Sequence, residues 1–357
     1  MYDLDSLITH NLQTYPDNHF YLQRELREQW EKTKPLLGVR ILHNIPLTHE
    51  TLIKLEPLLA AGAEVTVTHV QFLSPPNEQI VQLLENIGLD YVPNHLELLG
   101  EYDIALDCCA EVLDMPNIKI LKGAVELTQT GGERYRQANI PFPVINVDDS
   151  RLKKLEGMYG TGEAFVRAIQ ELTQQSIKNQ PFLLFGFGKV GRGIARYLGT
   201  ETSKLTVVDQ SERALNRAVE SGFEALSPTQ VETIKERAKQ AFCIVTATGI
   251  PGQLAKYLNP TDCSQAYIAN MGATDEIGSN FNHAKVLCSR KPVNFALKHP
   301  TLLHFIDPVF YAHNLAARLI LEHNYAPGYH PFPSYLDDLI INMWHQHNRL
   351  DISDIFE

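Results

Sequence analysis

Short apolar segments and amphipathic segments alternate along the chain, a pattern typical of parallel strands covered by helices. Strands are predicted at 39–42, 64–70, 103–106, 182–185, 205–208, 242–246 and 266–270. Helical spacing of apolar residues predicts helices at 18–35, 48–61, 79–87, 160–175, 302–323 and 335–347. Pro327, Pro331 and Pro333 predict an irregular crossing between the last two helices. The alternation predicts an α/β fold, and the length predicts two domains.

A glycine motif follows the apolar run at 182–185. Gly186, Gly188 and Gly191 form G-x-G-x-x-G, and apolar residues at helical spacing begin inside it at Val190. Such glycines permit a tight turn, a close approach of backbone to a pyrophosphate and close packing of helix on strand. Asp209 ends the next apolar run, where a ribose-binding carboxylate is expected and a 2′-phosphate would be repelled. We therefore predict a Rossmann-type, doubly wound NAD-binding domain; the alternative is a glycine-rich turn of another α/β protein.

Composition narrows the classes of partner. The chain has 357 residues, 31 of them basic and 42 acidic, with a net charge of −11 and no basic stripe. Nucleic acid is therefore not expected as a partner, and the expected partner is a small molecule. No signal pattern occurs and no apolar run reaches the ~18 residues that suggest a membrane span, so a cytoplasmic protein is expected. The five cysteines form no C-x-x-C pair and the histidines are scattered, which predicts reduced thiols and no metal site.

Blocks in several parts of the chain occur in the order and near the spacing of one known family. They lie at 34–41, 48–51, 62–65, 143–150, 159–163, 186–193, 245–249, 270–272, 293–295, 299–300 and 335–338. In these blocks the chain resembles S-adenosylhomocysteine hydrolase (adenosylhomocysteinase) along nearly its whole length. The resemblance implies a substrate domain at 1–158, an NAD-binding domain at 159–296 inserted into it, and C-terminal helices at 297–357 that return to the substrate domain.

The resemblance implies that bound NAD oxidises a 3′-hydroxyl of the substrate and is regenerated after the thioether is cleaved. With the motif, it assigns the cofactor contacts to Gly186, Gly188, Lys189, Val190, Gly191, Asp209, Thr128, Thr130, Asp148, Thr246, Thr248, Gly249, Met271, Gly272 and Asn294. For the threonines, Asp148 and Asn294 the alternative is ordinary turn capping. Substrate binding is assigned to Thr48, Glu50, Cys108 and Glu126, of which Thr48 and Glu50 match positions used toward adenine.

The chain departs from the family where the acid and base chemistry is done. Pro46 and Ala273 stand where the family has histidines, Cys108 where it has an aspartate, and Leu127 where it has a glutamate. The candidate catalytic residues that remain are Asp107, Lys153, Lys154, Glu156 and His299. Solvated charges are the alternative for the lysines, a plain loop position for His299, and a buried apolar role for the cysteines.

Three functions stay open. The first is an NAD-dependent enzyme acting by hydride transfer at an alcohol carbon of a substrate other than adenosylhomocysteine, either a nucleoside, such as a purine nucleoside, or another hydroxy compound. The second is a divergent adenosylhomocysteine hydrolase, and the third is a non-catalytic NAD-binding regulator. The family's C-terminal tail, which reaches a neighbouring protomer, has no counterpart before Glu357, so a homodimer is expected.

Overall fold

The computed structural model describes residues 2–16 and 19–356, which form two compact units. The first unit combines the chain up to Leu155 with the chain from Leu303 onward, and the second is Glu156–Leu302. The sequence prediction had the boundaries after residues 158 and 296.

Twelve strands and twelve α-helices are found in the described residues. The strands are β1 (Arg40–Asn44), β2 (Glu64–Thr68), β3 (Asp90–Tyr91), β4 (Gly100–Asp107), β5 (Ile118–Glu126), β6 (Pro143–Asn146), β7 (Phe182–Phe185), β8 (Leu205–Val208), β9 (Glu224–Leu226), β10 (Cys243–Thr246), β11 (Tyr267–Asn270) and β12 (Gly328–Pro331). The helices are α1 (Leu4–Thr14), α2 (Tyr21–Thr33), α3 (His49–Ala60), α4 (Glu78–Asn86), α5 (Gln129–Gln137), α6 (Leu152–Lys154), α7 (Thr161–Thr173), α8 (Lys189–Leu198), α9 (Glu212–Glu220), α10 (Val231–Gln240), α11 (Leu303–Glu322) and α12 (Ser334–His347). A π-helical segment, Leu155–Gly160, connects α6 to α7.

The first unit contains a seven-stranded sheet in the order β3-β2-β1-β4-β5-β6-β12, and every pair in it is parallel. Apart from the added β12, this is the 3-2-1-4-5-6 order of a doubly wound dinucleotide fold. The sequence prediction missed several elements of this unit, among them α1, β3, β5 and β12. It placed an irregular crossing where β12 lies. Among the described strands β12 pairs with β6 alone, and an edge strand tolerates its terminal Pro331.

The second unit contains a parallel five-stranded sheet in the order β9-β8-β7-β10-β11. Counted within the unit, this is the order 3-2-1-4-5 of the Rossmann fold. Successive residues of β7 pack into different cores, since Leu184 belongs to one apolar cluster and Leu183 to the other. Burial on both faces explains why these strands are continuous apolar runs, and the predicted fold class is confirmed.

The C-terminal return is built into the first unit. Helix α11 packs against β5, where a Cβ at Gly123 would lie 2.9 Å from Cγ2 of Ile320. Glycine at position 123 therefore allows the helix to approach the sheet. On β12, the hydroxyl of Tyr329 accepts hydrogen bonds from Nδ2 of Asn146 and Nη2 of Arg136, each at 2.7 Å. These contacts join the last strand to β6 and α5.

Candidate functional site

In the second unit, the glycine loop joins β7 to α8 at the point where the strand order reverses. Gly186 has φ +95°, and a Cβ there would lie 2.4 Å from the carbonyl oxygen of Ala247. A Cβ on Gly191 would lie 2.0 Å from the carbonyl oxygen of Gly186. A Cβ on Gly188 would meet no heavy atom within 4 Å. Two glycines are thus required by the fold, while Gly188 leaves open space beside the start of α8.

Asp209 follows β8 and lies against this loop. Its Oδ2 accepts a hydrogen bond from the amide of Phe187 at 2.7 Å, and its Oδ1 accepts one from the amide of Ser211 at 2.8 Å. Helix α8 begins at Lys189, and the first amides of a helix lack partners within it. Open space at Gly188, helix amides at Lys189 and Val190, and a carboxylate beyond β8 fit a dinucleotide.

The turn after β10 is organised by an acid that the sequence prediction missed. Both carboxylate oxygens of the fully buried Glu276 are bonded: Oε2 accepts from the amide of Thr248 at 2.8 Å and Oε1 from the amide of Gly249 at 2.6 Å. A Cβ on Gly272 would lie 1.9 Å from Oε1, so glycine is required there as well. Burial raises the pKa of Glu276. Its signal in the sequence is weak, because a single acid in a loop usually faces solvent.

The ends of β10 and β11 are joined by side chains. Nδ2 of Asn270 donates to the carbonyls of Thr274 at 2.7 Å and Arg290 at 2.8 Å, and Oγ1 of Thr246 lies 3.2 Å from Oδ1 of Asn270. Met271 is buried beyond this pair. Asn294, also buried, donates to the carbonyl of Pro300 at 3.3 Å. Predicted cofactor residues therefore collect in the turns after the strands of the second unit.

Thr128, Thr130 and Asp148, which were also assigned to the cofactor, belong to the first unit. Oγ1 of Thr128 accepts from the amide of Gly131 at 3.0 Å and donates to Oε1 of Glu126 at 2.6 Å. Thr128 is thus the N-cap of α5, which is the alternative that the sequence left open. The amide of Asp148 donates to Oδ1 of Asn146 at 3.1 Å.

A row of polar residues crosses the sheet of the first unit. Each one ends its strand, and the row is Thr68, Asn44, Asp107, Glu126 and Asn146. Asn44 is in register with Thr68, and Glu126 is in register with both Asp107 and Asn146. Side chains in register point to the same face of a parallel sheet. The strand order reverses between β1 and β4, where Nδ2 of Asn44 donates to Oδ1 of Asp107 at 2.8 Å.

Two acids lie close to this switch point. Oδ2 of Asp107 accepts from the hydroxyl of Tyr135 at 2.6 Å, and burial raises the pKa of Asp107 to about 6. Glu111 accepts from the amide of Gln71 at 2.9 Å and from Nδ2 of Asn44 at 3.3 Å. Burial raises the pKa of Glu111 to about 7. The sequence prediction named Asp107 and missed Asn44, Glu111 and Tyr135, although the rule of strand ends points to Asn44.

Glu126 shapes the loop after β4. Its carboxylate accepts from the amides of Cys109 at 3.1 Å, Ala110 at 2.9 Å and Thr128 at 2.7 Å. Cys109 and Ala110 have φ of +65° and +53°, a conformation that non-glycine residues rarely adopt. Burial raises the pKa of Glu126 to about 8. The bonds fix the loop, so Glu126 has a structural task besides the substrate contact assigned to it.

Cys108 is buried within the same loop. The neighbouring Cys109 thiol and burial raise the pKa of Cys108, which keeps its thiol protonated. This environment supports the apolar alternative over a nucleophilic role.

The other predicted residues are divided between the units. Thr48 and Glu50 lie at the start of α3, where Oε1 of Glu50 accepts from the hydroxyl of Tyr15 at 2.5 Å. On α6, Lys153 is buried, and Nζ of Lys154 donates to the carbonyl of Ile355 at 2.7 Å.

Glu156 and His299 belong to the second unit. The carbonyl of His299 accepts from Nη1 of Arg167 at 3.1 Å. Of the five candidate catalytic residues, Asp107, Lys153 and Lys154 therefore lie in the first unit and the other two in the second. Their catalytic roles stay predictions.

In the described residues, no helix is long and apolar enough to cross a membrane, and no group of three or more potential ligands could hold a metal ion.

No family model matches the chain. Adenosylhomocysteinase of Sulfurisphaera tokodaii is 30% identical over 253 residues, covering 65% of this chain and 59% of the relative. S-inosyl-L-homocysteine hydrolase of Methanopyrus kandleri is 29% identical over 255 residues, covering 65% and 58%. The chain thus spans less than two thirds of the length of these two relatives. A protein of the latter name from Methanosarcina mazei is 25% identical and covers 91% of this chain and 89% of its own.

Among solved structures, a dipicolinate synthase component from Bacillus halodurans gives a TM-score of 0.49 at 12% identity. It covers 80% of this chain and 99% of its own.

Proposed function

Because the chain is a divergent relative of the adenosylhomocysteinase superfamily, we propose that it is an NAD-dependent enzyme. It acts by hydride transfer at an alcohol carbon of a nucleoside-like or other hydroxy substrate that is not adenosylhomocysteine. The observation that carries the proposal is the glycine loop at the switch point of the second unit, with its open space at Gly188. NAD, when bound, supplies the hydride acceptor.

The chain's own residues provide binding and orientation of the cofactor. The amides at the start of α8 would face the pyrophosphate, and Asp209 would accept from a ribose hydroxyl. Glu276 fixes the turn of Thr248 and Gly249 at the adjoining strand end. Each of these groups is already positioned by hydrogen bonds or by the fold.

Proton transfer is assigned to Asp107. Its pKa, raised to about 6, lies near neutrality, which suits a group that must both accept and release a proton. Asn44 and Tyr135 hold its two oxygens and so fix its orientation. Pro46, Leu127 and Ala273 cannot exchange protons, and the family uses acid and base residues at those three positions. Their presence favours a substrate other than adenosylhomocysteine.

A second candidate is hydrolysis of a nucleosidyl-homocysteine thioether. Relatives that match this chain are named for adenosyl and for S-inosyl substrates, so the base of the nucleoside varies among them. This candidate needs homocysteine to be released, which separates it from the first.

The test starts with the purified protein and the identity of any dinucleotide bound to it, by absorbance and mass. Nucleosides, S-adenosylhomocysteine and S-inosylhomocysteine are then added, and reduced nicotinamide and homocysteine are measured. The proposal expects reduction of NAD by a nucleoside or hydroxy compound and no homocysteine from S-adenosylhomocysteine. Homocysteine release would establish the second candidate. If NAD binds but none of the compounds reduces it, the protein is a non-catalytic NAD-binding regulator.

A variant pair tests the role of Asp107. Asp107→Asn should lower kcat by about 100-fold or more while NAD affinity is unchanged, because general acid–base catalysis contributes on that order. Asp114→Asn is the control, since its exposed carboxylate pairs with Arg134 on the surface. Equal activity of the two variants would remove Asp107 from the mechanism.

A further inference from the structure

Three basic side chains are buried on the face of the first unit's sheet opposite the polar row. His43 lies on β1, Lys54 on α3 and His313 on α11, and each is fully buried. His43 precedes Asn44, so their side chains point to opposite faces of β1. These three residues, called here the basic cluster, take no part in the proposed function.

The basic cluster has few hydrogen bonds. Nζ of Lys54, which can donate three, donates to Oδ1 of Asn314 at 2.8 Å. Nε2 of His313 lies 2.9 Å from the carbonyl oxygen of Val125. Nδ1 of His313 and both ring nitrogens of His43 have no hydrogen-bond partner in any other described residue. Such atoms are rare in folded proteins, because a buried polar group without a partner costs about 1–3 kcal/mol.

No carboxylate of the described residues forms an ion pair with the basic cluster, because the nearby acids are bound elsewhere. On α3 itself, Glu50 accepts from Tyr15, which follows α1, and Glu56 pairs with Arg27 of α2 at 2.8 Å.

The remaining charged and titratable neighbours do not supply a counter-charge. Asp307 of α11 accepts from two amides of α2. Lys153 of α6 is a further cation whose charge acts on His313, and His10 of α1 stacks on His49. Among the described residues, a protonated group of the basic cluster would therefore have no carboxylate paired with it.

Burial lowers the pKa of Lys54 well below its usual range. Burial lowers the pKa of both His43 and His313, and a proton on Lys54 would lower both further. The folded first unit thus holds these groups neutral, whereas the unfolded chain would protonate them.

We propose that the basic cluster is a proton-sensitive latch, in which neutral His43, Lys54 and His313 keep α3 and α11 on the sheet and protonation releases them. Thr48 caps the N-terminus of α3 and Glu50 lies in its first turn, so release of α3 on acidification would displace both residues. The latch stands independently of the proposed function, because it requires neither NAD nor a substrate.

The test uses urea unfolding of the whole protein at a series of pH values from about 5 to 9, a range that includes the ordinary histidine pKa of ~6.5. Both tryptophans, Trp30 and Trp344, are buried in the first unit, so their fluorescence reports that unit alone. The unfolded chain binds a proton at Lys54 below pH ~10.4 that the native state excludes. Unfolding constants of the natural protein are compared with those of Lys54→Met, and Lys32→Met, at an exposed position of α2, is the control.

The latch predicts a pH dependence for the unfolding constant of the natural protein divided by that of Lys54→Met. This ratio should fall about tenfold for each unit of rising pH, because the natural protein takes up one more proton on unfolding. The ratio to Lys32→Met should stay constant. Below pH ~6.5, His43→Leu should remove about one further proton from the pH dependence and leave the slope above it unchanged. If Lys54→Met does not fold, Lys54→Gln replaces it, since an amide can keep the bond to Asn314.

A constant ratio for the Lys54 variant would overturn the latch, because it would mean that Lys54 is charged in the native state. If His43→Leu unfolds with the same pH dependence below pH ~6.5 as the natural protein, His43 does not belong to the basic cluster.

Discussion

At the scale of single residues, the glycines of the loop have different tasks: some are required by the fold and one leaves room for the proposed ligand. Gly191 has no room for a side chain, since its Cβ would lie 2.0 Å from the carbonyl oxygen of Gly186. Gly188 has room, and its φ of −75° is accessible to other residues. The two positions belong to one motif. The fold requires glycine at position 191, and the proposed ligand requires it at position 188.

Alanine at these positions should therefore act differently. Gly188→Ala should leave the melting temperature within about 2 °C while weakening NAD binding, because the new methyl group fills the space left for the pyrophosphate. Gly191→Ala should destabilise the protein by roughly 1–3 kcal/mol, the usual cost of overpacking. Calorimetric melting and titration with NAD measure the two effects. Unchanged NAD affinity in Gly188→Ala would place the pyrophosphate elsewhere.

At the scale of elements, helix α2 is held by a residue distant in sequence. The carboxylate of Asp307 on α11 accepts from the amides of Leu22 at 2.9 Å and Gln23 at 3.0 Å in the first turn of α2. An acid is favourable at a helix N-terminus. Burial nevertheless raises the pKa of Asp307 to about 7. The cap therefore makes the packing of α2 on α11 depend on pH.

Between pH 7 and pH 4 the native state takes up a proton at Asp307 that the unfolded chain, with a pKa near 4, does not. The contribution of this group to the free energy of unfolding is complete below pH ~4 and is lost as the pH rises through 7. The slope of the free energy of unfolding against pH should therefore be more positive in Asp307→Asn than in the natural protein, by up to ~1.4 kcal/mol per pH unit in that window. Tryptophan fluorescence in urea gives the slopes, with the exposed Asp5→Asn as control. Equal slopes in the natural protein and Asp307→Asn would contradict a raised pKa.

At the scale of the whole molecule, one chain contains two sheets with the same order of their first five strands. Each sheet has a switch point, and each switch point carries polar groups at strand ends, as expected for ligand sites in open parallel sheets. The second unit has the glycine loop and Asp209. The first has Asn44, Asp107 and Glu111. In the proposed function, the switch point of the second unit binds the phosphates of NAD and that of the first unit supplies the group for proton transfer.

NAD should stabilise the second unit. At about 100 times its dissociation constant, a ligand adds ~2.7 kcal/mol, which corresponds to a shift of roughly 5–10 °C for a unit of this size. NADP should give a smaller shift, because Asp209 repels the 2′-phosphate. Calorimetry of protein freed of bound nucleotide measures both. Asp209→Ala is the matched variant, in which the difference between the two cofactors should narrow; an equal response of the natural protein to NAD and NADP would refute the assignment.

Much of the second unit could be predicted from the sequence because the relevant interactions are local. Four of its strands are apolar runs buried on both faces, and the three glycines stand at fixed spacing after one of them. The first unit was harder to predict. Strand β5 begins half exposed and β12 is a short edge strand, so neither has an apolar run along its length.

The sequence by itself determined the α/β class, the glycine loop and the acid that follows it, because strand burial and turn conformation depend on residues that are close in sequence. Only the tertiary structure decided that Asn44 meets Asp107, that Glu276 holds the turn of Thr248, and that buried Lys54 donates to Asn314. These features join residues that are far apart in sequence, from 28 positions for Thr248 and Glu276 to 260 for Lys54 and Asn314. Their geometry depends on which strands become neighbours, and no local pattern specifies that order.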